Sequence, residues 1–185
     1  MQNENNSQAP TLISHVIRWG LILAACSILI TVAMYVINEA LMVQLKVLFI
    51  SLLLYLGLTI YAGIDYRKQA GGYLSYGNAF VHGFLVLALS GLVGTAFNIV
   101  LYQVIDTELA QRLTDAAIEN QREMMIGFGA PEDQIDEALE QAREQTADRF
   151  TVSGMALGYV FALIFSAIMA LISALFVRKN QPLEM

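Results

Sequence analysis

The sequence predicts an all-α fold: an integral membrane bundle of four transmembrane helices, with an extracytoplasmic helical hairpin between the third and the fourth helix. The first observation is composition, because 57 % of the residues are apolar and the mean hydropathy is +0.57. The second is that the apolar residues form long runs, which suit lipid, instead of recurring at the spacing of a soluble helix or strand. The third is a single acidic segment, residues 106–150, which we call the insert.

The apolar runs are long enough to cross a bilayer, which takes about 20 residues in a helix. Because the hydrocarbon core offers no water to the backbone, helices are the natural form for them. We therefore predict one membrane domain over residues 1–185. Its four spans, numbered first to fourth, are residues 17–37, 45–64, 79–105 and 152–177.

The first span contains LILAAC, which ends at Cys26 and resembles the cleavage pattern of bacterial lipoproteins. The apolar run continues well beyond Cys26, whereas a cleaved signal is followed by polar mature sequence. A Cys26 inside a helix is therefore favoured over a lipidated one. A single cysteine also excludes an internal disulfide and a CxxC redox or metal site.

Basic residues indicate the orientation of the spans. Five of them flank span ends on one side of the membrane, and only Lys46 lies in the short loop on the other side. The positive-inside rule then predicts that both termini and the loop between the second and third spans are cytoplasmic. The insert is then extracytoplasmic, and its four arginines weaken this prediction only modestly, because long polar segments cross largely regardless of charge. The five flanking residues are Arg18, Arg67, Lys68, Arg178 and Lys179.

The insert carries 12 of the 16 acidic residues and four arginines, so the rest of the chain has a net charge of +2 although the whole chain has −6. Apolar residues recur at helical spacing on both sides of GFGAPED, where Gly127 and Gly129 can end one helix and Pro131 can begin the next. This pattern predicts a helical hairpin. A solvated acidic face is favoured over a docking surface for a partner or a basic ligand. The carboxylates lack the spacing of a calcium loop, so no metal is predicted.

The second hairpin helix meets the fourth span with no proline between Pro131 and Val177. A continuous helix is therefore favoured, about 70 Å long at a rise of about 1.5 Å per residue. The alternative is a new helix cap at Thr151 or Ser153.

Small residues recur at every fourth position along the fourth span, a pattern that lets membrane helices approach closely. The third span offers small residues at similar spacing, such as Ala79 with Gly83 and Gly91 with Thr95. We predict that these two spans cross tightly or that the fourth span pairs with a second copy of the chain. The predicted helix-packing residues are Gly154, Gly158, Ala162, Ser166, Ala170 and Ala174.

The most patterned part of the chain is the segment DYRKQAGGYLSYGNAFVHGF, which joins the second and third spans. Its paired glycines allow a tight turn, and its tyrosines suit the aromatic belt at the membrane interface. Its basic residues suit the anionic cytoplasmic surface, so the lipid bilayer is the predicted partner here. The predicted membrane-surface anchors are Arg67, Lys68, Tyr66, Tyr73 and Tyr76.

Asn78 and His82 lie one helical turn apart just inside the membrane, where an ionisable group is a functional hypothesis by default. Structural hydrogen bonding by His82 within the bundle is favoured over a ligand, proton or lipid head-group site. Together with Asn98, farther along the same span, these residues form the candidate polar or ligand site.

Three sequence features occur in a distinctive order: YRKQAGGYLSYGNAF, then FNIVLYQVID at the end of the third span, then PEDQIDEAL in the insert. With these features the chain resembles the domain of unknown function 4199, a family of bacterial membrane proteins common in Bacteroidota. The resemblance covers nearly the whole chain and implies four transmembrane helices in the inner membrane. Because that family has no established activity, the resemblance implies no catalytic residues.

An enzyme is not expected, because two histidines, one apolar cysteine and spans without a central charge supply no catalytic set, and no cofactor is predicted. Nucleic-acid binding lacks the required patch of basic and aromatic residues. The sequence favours an accessory or scaffold subunit of a bacterial envelope complex, which contacts a membrane-protein partner or a second copy through the fourth span and the hairpin. The alternatives are a small transporter or channel subunit with a polar cavity near Asn78 and His82, and a protein that binds lipid at the cytoplasmic face.

Overall fold

The computed structural model describes residues 11–181, and its regular elements are helices. A short 3-10 helix, Glu39–Val43, connects the first two α-helices, and a π-helical turn, Leu101–Ile105, extends the third. In chain order the α-helices are α1 (Leu12–Ile37), α2 (Leu45–Gln69), α3 (Tyr76–Val100), α4 (Leu109–Gly127), α5 (Glu132–Asp148) and α6 (Val152–Val177).

Four of these helices are long and apolar enough to cross a membrane: α1, α2, α3 with its π-helical extension, and α6. The structure thus agrees with the predicted all-helical fold with four spans. The start of α3 and the end of α6 lie together, because Leu74 and Lys179 pair as an isolated antiparallel β-bridge. We call this end of the bundle the terminal end, and we call the opposite end, which carries α4 and α5, the insert end.

Two helices extend beyond the predicted spans at the terminal end. α1 begins at Leu12, five residues before the predicted start, because the hydroxyl of Thr11 accepts the N–H of Ser14 and caps the helix. α2 continues to Gln69, five residues past the predicted end at residue 64. The addition to α2 is DYRKQ, which a search for apolar runs leaves out, and the addition to α1 contains Ser14 and His15, which interrupt its apolar run.

The turn between α2 and α3 follows from its local sequence. Gly71 and Gly72 have φ angles of +88° and +87°, a left-handed conformation that glycine adopts without steric cost. Ser75 then caps α3, since its hydroxyl accepts the N–H of Asn78. The tight turn brings α3 back alongside the bundle.

The structure contradicts the continuous helix predicted from the insert into the fourth span. α5 ends at Asp148, and α6 begins after a new cap at Thr151, whose hydroxyl accepts the N–H of Gly154. The same hydroxyl donates to the carbonyl of Asp148 near the end of α5, which also accepts the backbone N–H of Thr151. A Cβ atom at position 154 would clash with that carbonyl, so glycine allows α6 to start directly against the end of α5. The lack of proline would permit a continuous helix, but the Thr151 cap and Gly154 produce a corner between α5 and α6.

Among the described helices, α6 packs most extensively on α3. Near the terminal end the approach is close, since a Cβ atom on Gly83 would lie 3.6 Å from that of Ala170. Ala170 and Ala174 are fully buried, whereas Gly158 and Ala162, nearer the insert end, are exposed. The small residues of α6 are therefore covered by other helices in one half and open in the other. The two half-buried members of the series are Gly154 and Ser166.

Within the insert, α4 and α5 pack against each other. Ion pairs join them at the surface, with Arg122 Nη2 2.6 Å from Asp136 Oδ1 and Arg143 Nη1 2.7 Å from Asp115 Oδ1. Gly129, in the connecting turn, has a φ of +77°. Apolar burial and charge pairing therefore hold the two helices together. The buried side chains between them are Ile118, Ile135 and Leu139.

Candidate functional site

The terminal half of the bundle encloses three ionisable side chains from three helices: His15 of α1, Asp65 of α2 and His82 of α3. Nδ1 of His15 lies 2.9 Å from Nε2 of His82. Nε2 of His15 lies 3.2 Å from Oδ2 of Asp65. We call these three residues the His–Asp cluster. The two imidazoles and the carboxylate form one hydrogen-bonded chain across three helices.

Residues one helical turn away hold the carboxylate in place. Trp19, four residues after His15, donates its indole N–H to Oδ2 of Asp65 at 3.0 Å. Gln69, four residues after Asp65, donates its amide to the same oxygen at 3.0 Å. Because residues four apart share a helix face, each helix presents a pair of side chains to the same point. One carboxylate oxygen thus joins α1 to α2.

The cluster is withdrawn from solvent to different degrees along its length. His15 and His82 are 2 % and 0 % exposed, whereas the side chain of Asp65 is 30 % exposed. The ring of Tyr66 stacks on His82, with centroids 4.7 Å apart and planes within 5°. In the described part of the chain, Nδ1 of His82 is buried and has no hydrogen-bond partner. A buried polar atom without a partner is costly, so it requires a functional or structural reason.

Imidazole and carboxylate groups can bind either metal ions or protons. Across residues 11–181, no three His, Cys, Asp or Glu side chains are grouped so that they can hold a metal ion. The imidazole changes its charge near neutral pH, so the cluster has the chemistry to bind and release protons.

A groove lies between α3 and α6 on the side of the insert end, and its inner part also reaches α1 and α2. Its two parts have volumes of about 280 and 330 Å³, and Thr95, Asn98 and Ala162 line both. Oδ1 of Asn98 is buried and has no hydrogen-bond partner among the described residues. Gly158 also lines the groove, and no other atom lies within 4 Å of the position a Cβ atom would take there. The groove therefore combines free space with an unpaired hydrogen-bond acceptor.

The insert end carries a different set of charges, which we call the arginine network. Arg112 of α4 donates from Nε to Oε1 of Glu39 and from Nη2 to Oδ2 of Asp106, each at 2.6 Å. The hydroxyl of Tyr35, on α1, donates to the same oxygen of Asp106 at 3.0 Å. The side chain of Arg112 is 39 % exposed, so water reaches this network. It clamps the start of the insert to α1 and to the 3-10 helix.

Mutual pairing shifts the pKa values of Asp106 and Arg112. The hydrogen bonds from Arg112 hold the pKa of Asp106 below its ordinary value, with help from the Tyr35 hydroxyl and against the opposing effect of burial. The hydrogen bonds to Glu39 and Asp106 raise the pKa of Arg112 in turn. Asp106 and Arg112 are therefore both charged at neutral pH.

The family described as a protein of unknown function, DUF4199, matches residues 18–179. The chain belongs to the DUF4199 family. The matched range contains Asp65, His82 and the arginine network, whereas His15 precedes it. No curated protein and no solved structure matches the chain. The predicted resemblance is thus confirmed, and the match to this DUF4199 family of unknown function assigns no role to any residue.

The three residues of the predicted polar site lie apart in this DUF4199 protein. His82 belongs to the His–Asp cluster, whereas Asn78 is exposed and lines a surface pocket beside Lys179. Asn98 is 16 residues from His82 on one helix, which places it about 24 Å away, in the groove. The expected single cavity is therefore replaced by three separate environments.

Most of the predicted membrane-surface anchors contact the protein itself. Arg67 Nη1 donates to the carbonyl of Val177 at 2.7 Å, at the end of α6. Lys68 is exposed. Their attraction to lipid stays a prediction, but Arg67 has a structural role as well. The intramolecular contacts of the tyrosines are the stack of Tyr66 on His82, the position of Tyr73 under the ammonium of Lys179 and the hydrogen bond from Tyr76 to the carbonyl of Leu171.

Sequence reasoning missed His15 and Asp65 by narrow margins. The predicted first span began at residue 17 and the predicted second span ended at residue 64, so each residue fell just outside a helix. A usable signal existed in the spacing of His15 with Trp19 and of Asp65 with Gln69, because each pair places polar hydrogen-bonding groups one turn apart. The pairing across helices required the structure.

Proposed function

We propose that this DUF4199 chain is an accessory or scaffold subunit of a bacterial envelope complex, and that it binds a transmembrane helix of its partner in the groove between α3 and α6. It would lie in the inner membrane with both termini in the cytoplasm and the insert outside. The observation that carries the proposal is the open half of the small-residue series on α6, which the chain's own helices leave uncovered.

The chemistry of the groove favours a helix as its occupant. Small residues such as Gly158 and Ala162 allow close backbone approach, on which membrane helices depend because lipid supplies no hydrophobic force between them. Oδ1 of Asn98 offers an acceptor to a hydroxyl or amide donor on an incoming helix. A partner helix that carries a small residue and a donor would satisfy both features.

Charge distribution supports the orientation. Arg18, Arg67 and Lys179 belong to the terminal end, as the positive-inside rule requires of a cytoplasmic face. An acidic surface on α4 and α5 then faces the envelope and offers a second contact to the partner. A reporter fused within residues 115–145 is expected to be extracytoplasmic, and a cytosolic reporter would refute the orientation.

Site-specific photo-crosslinking tests the groove. We expect a photo-reactive amino acid at Gly158 to give a discrete adduct in native membranes. The matched control is Gly57 of α2, which is also exposed and also has no atom within 4 Å of a Cβ position. The same probe at Gly57 should yield no adduct. Equal labelling at both positions, or a monomer without adduct, would reject the proposal.

A second candidate function is a small transporter or channel subunit, and the His–Asp cluster is the observation that favours it. Ionisable side chains inside a membrane bundle often mark ion pathways. If this candidate is correct, proteoliposomes with purified protein should conduct protons down a pH gradient, and His82→Gln should abolish that flux. Wild-type protein that conducts no more than empty liposomes would remove it.

A further inference from the structure

The hydrogen-bond chain of the His–Asp cluster restricts where protons can lie. Oδ2 of Asp65 accepts the N–H of Trp19, and an indole nitrogen can only donate. That oxygen is therefore an acceptor, so its 3.2 Å contact with Nε2 of His15 requires a hydrogen on the nitrogen. His15 is thus fixed as an Nε2–H donor.

With His82 neutral, the contact between the two imidazoles then has two solutions. Because Nδ1 of His15 and Nε2 of His82 are 2.9 Å apart, one proton must lie between them. If His15 is neutral, its Nδ1 accepts, and His82 must carry its hydrogen on Nε2. If His15 is an imidazolium ion, its Nδ1 donates, and His82 must carry its hydrogen on Nδ1 instead.

The two solutions differ by one proton. In the first, Nδ1 of His82 is a buried lone pair, and in the second it is a buried N–H; in neither does it have a partner among the described residues. The added proton comes from hydronium, which leaves as water, and only N–H bonds change. The positive charge resides on His15 beside the carboxylate of Asp65, while the second imidazole stays neutral.

We propose that the His–Asp cluster is an intramembrane binding site for one proton, in which uptake places the charge on His15 and switches His82 from its Nε2–H to its Nδ1–H tautomer. With the proton bound, His15 of α1 and Asp65 of α2 form an ion pair. On α3, Nδ1 of His82 then carries an N–H donor in place of a lone pair. The site is independent of the groove and of the proposed accessory role.

The groups that act on the cluster come from α1 and α2. Arg18 of α1 is the nearby fixed cation that opposes a positive charge on His15, and Asp65 is the anion that favours it. Tyr66 of α2 covers one face of His82. The carboxylate of Asp65 is therefore the group that stabilises a positive charge on the buried ring of His15.

The other packed helices contribute no competing ionisable group at this level. α3 has no other ionisable side chain between residues 77 and 101, and α6 has none between residues 162 and 177. Of the two basic residues near the end of α2, Arg67 donates to the carbonyl of Val177 and Lys68 is exposed.

Nitrogen-15 NMR of the histidine rings tests the proposal directly, since the chain has two histidines and both lie in the cluster. The full chain is labelled with ¹⁵N-histidine, purified through a tag without histidine and placed in nanodiscs. Between about pH 8 and about pH 4, we expect one imidazolium signal to appear, at His15, while His82 changes from the Nε2–H to the Nδ1–H pattern. Both changes should share one midpoint.

Asp65→Asn removes the carboxylate charge and should lower that midpoint by at least about one pH unit. The matched control, Asp133→Asn, removes an exposed carboxylate on α5 and should leave the midpoint unchanged. If His82 keeps one tautomer throughout, or if both rings become imidazolium independently, the proposal is overturned. Should Asp65→Asn fail to fold, the tautomer pattern of the wild type still decides the question.

Discussion

The two ends of the bundle use similar chemical groups in opposite environments. At the terminal end, the His–Asp cluster joins three helices through buried imidazoles and a partly covered carboxylate. At the insert end, the arginine network joins the insert to α1 and the 3-10 helix where water reaches the charges. A lost partner at the insert end can be replaced by water, whereas one at the terminal end leaves a polar group buried alone. The terminal end is thus the place where polar substitutions are most costly.

The largest effect is expected from His15→Phe. Phenylalanine keeps a ring of similar size against Tyr66 and His82, so the loss reports the polar contacts and not a cavity. Because the change leaves Asp65 and Nε2 of His82 without their central partner, we expect a loss of about 3 kcal/mol in the free energy of unfolding. Reversible unfolding in mixed micelles measures it.

Tyr35→Phe is the control at the insert end. It removes one hydroxyl that donates to Asp106, while Arg112 continues to pair with that carboxylate. The free energy of unfolding should fall far less than for His15→Phe. Equal losses would mean that burial does not distinguish the two ends.

Glycine substitutions test the packing difference between the same ends. A Cβ atom at Gly63 would lie 2.6 Å from Cγ2 of Val177, a stiff and fully buried side chain. Gly63→Ala should therefore separate α2 from α6 and cost about 2 kcal/mol in unfolding. Gly158→Ala, which meets open space, is the matched control and should leave the midpoint of thermal unfolding unchanged. Comparable midpoints for the two variants would contradict the close contact at Gly63.

The coarse fold was predictable because it depends on long-range composition. Four apolar runs give four long apolar helices, and the grouping of acidic residues locates the insert between the third and the fourth of them. The helix ends were not predictable to the same degree, since they depend on single side chains such as the hydroxyl of Thr11. The corner at Thr151 was missed for the same reason, because its cap competes with an uninterrupted helical pattern.

The candidate site was only partly predictable. His82 attracted attention as an ionisable residue inside a span, but its partners lie 67 positions earlier and, through His15, at Asp65 on another helix. One sequence without an alignment holds no signal for such long-range pairing. Conversely, Asn78 was grouped with His82 through helical periodicity, although the end of the helix leaves it exposed. Periodicity identifies a shared face, but burial depends on what packs against it.

A smaller effect is expected from Arg112→Gln, which removes the charge that holds the arginine network together. The loss of stability should shrink at about 1 M salt, where the screening length is about 3 Å. The loss from His15→Phe should persist there, because buried partners are screened much less. Thermal unfolding of both variants at low and high salt measures the difference. The prediction is contradicted if salt changes the loss of stability equally in the two variants.

The same network gives a pH dependence with a defined sign. The folded-state pKa of Asp106 lies below its ordinary value of 3.8, chiefly through the hydrogen bonds from Arg112. Its contribution to stability is therefore present in full above that value and is lost as the pH falls through the lower, folded-state pKa. The difference in free energy of unfolding between the wild type and Arg112→Gln should be constant near neutral pH. It should disappear only in acid, below about pH 4. A gap that closes near pH 6 would assign the effect to another group.

The smallest effect on stability is expected from Lys68→Ala at the terminal end. Compared with Arg67→Ala, it distinguishes the attraction of this end to lipid from its structural contacts. Lys68 is exposed, whereas its neighbour Arg67 satisfies the last carbonyl of α6. We expect Lys68→Ala to leave thermal unfolding unchanged and to reduce the anionic lipid retained in native mass spectrometry, because each basic residue near an anionic surface adds about 1 kcal/mol of attraction. Arg67→Ala should lower both quantities, since it also frees the carbonyl of Val177. If Lys68→Ala retains as much anionic lipid as the wild type, the exposed charge of Lys68 does not anchor the protein.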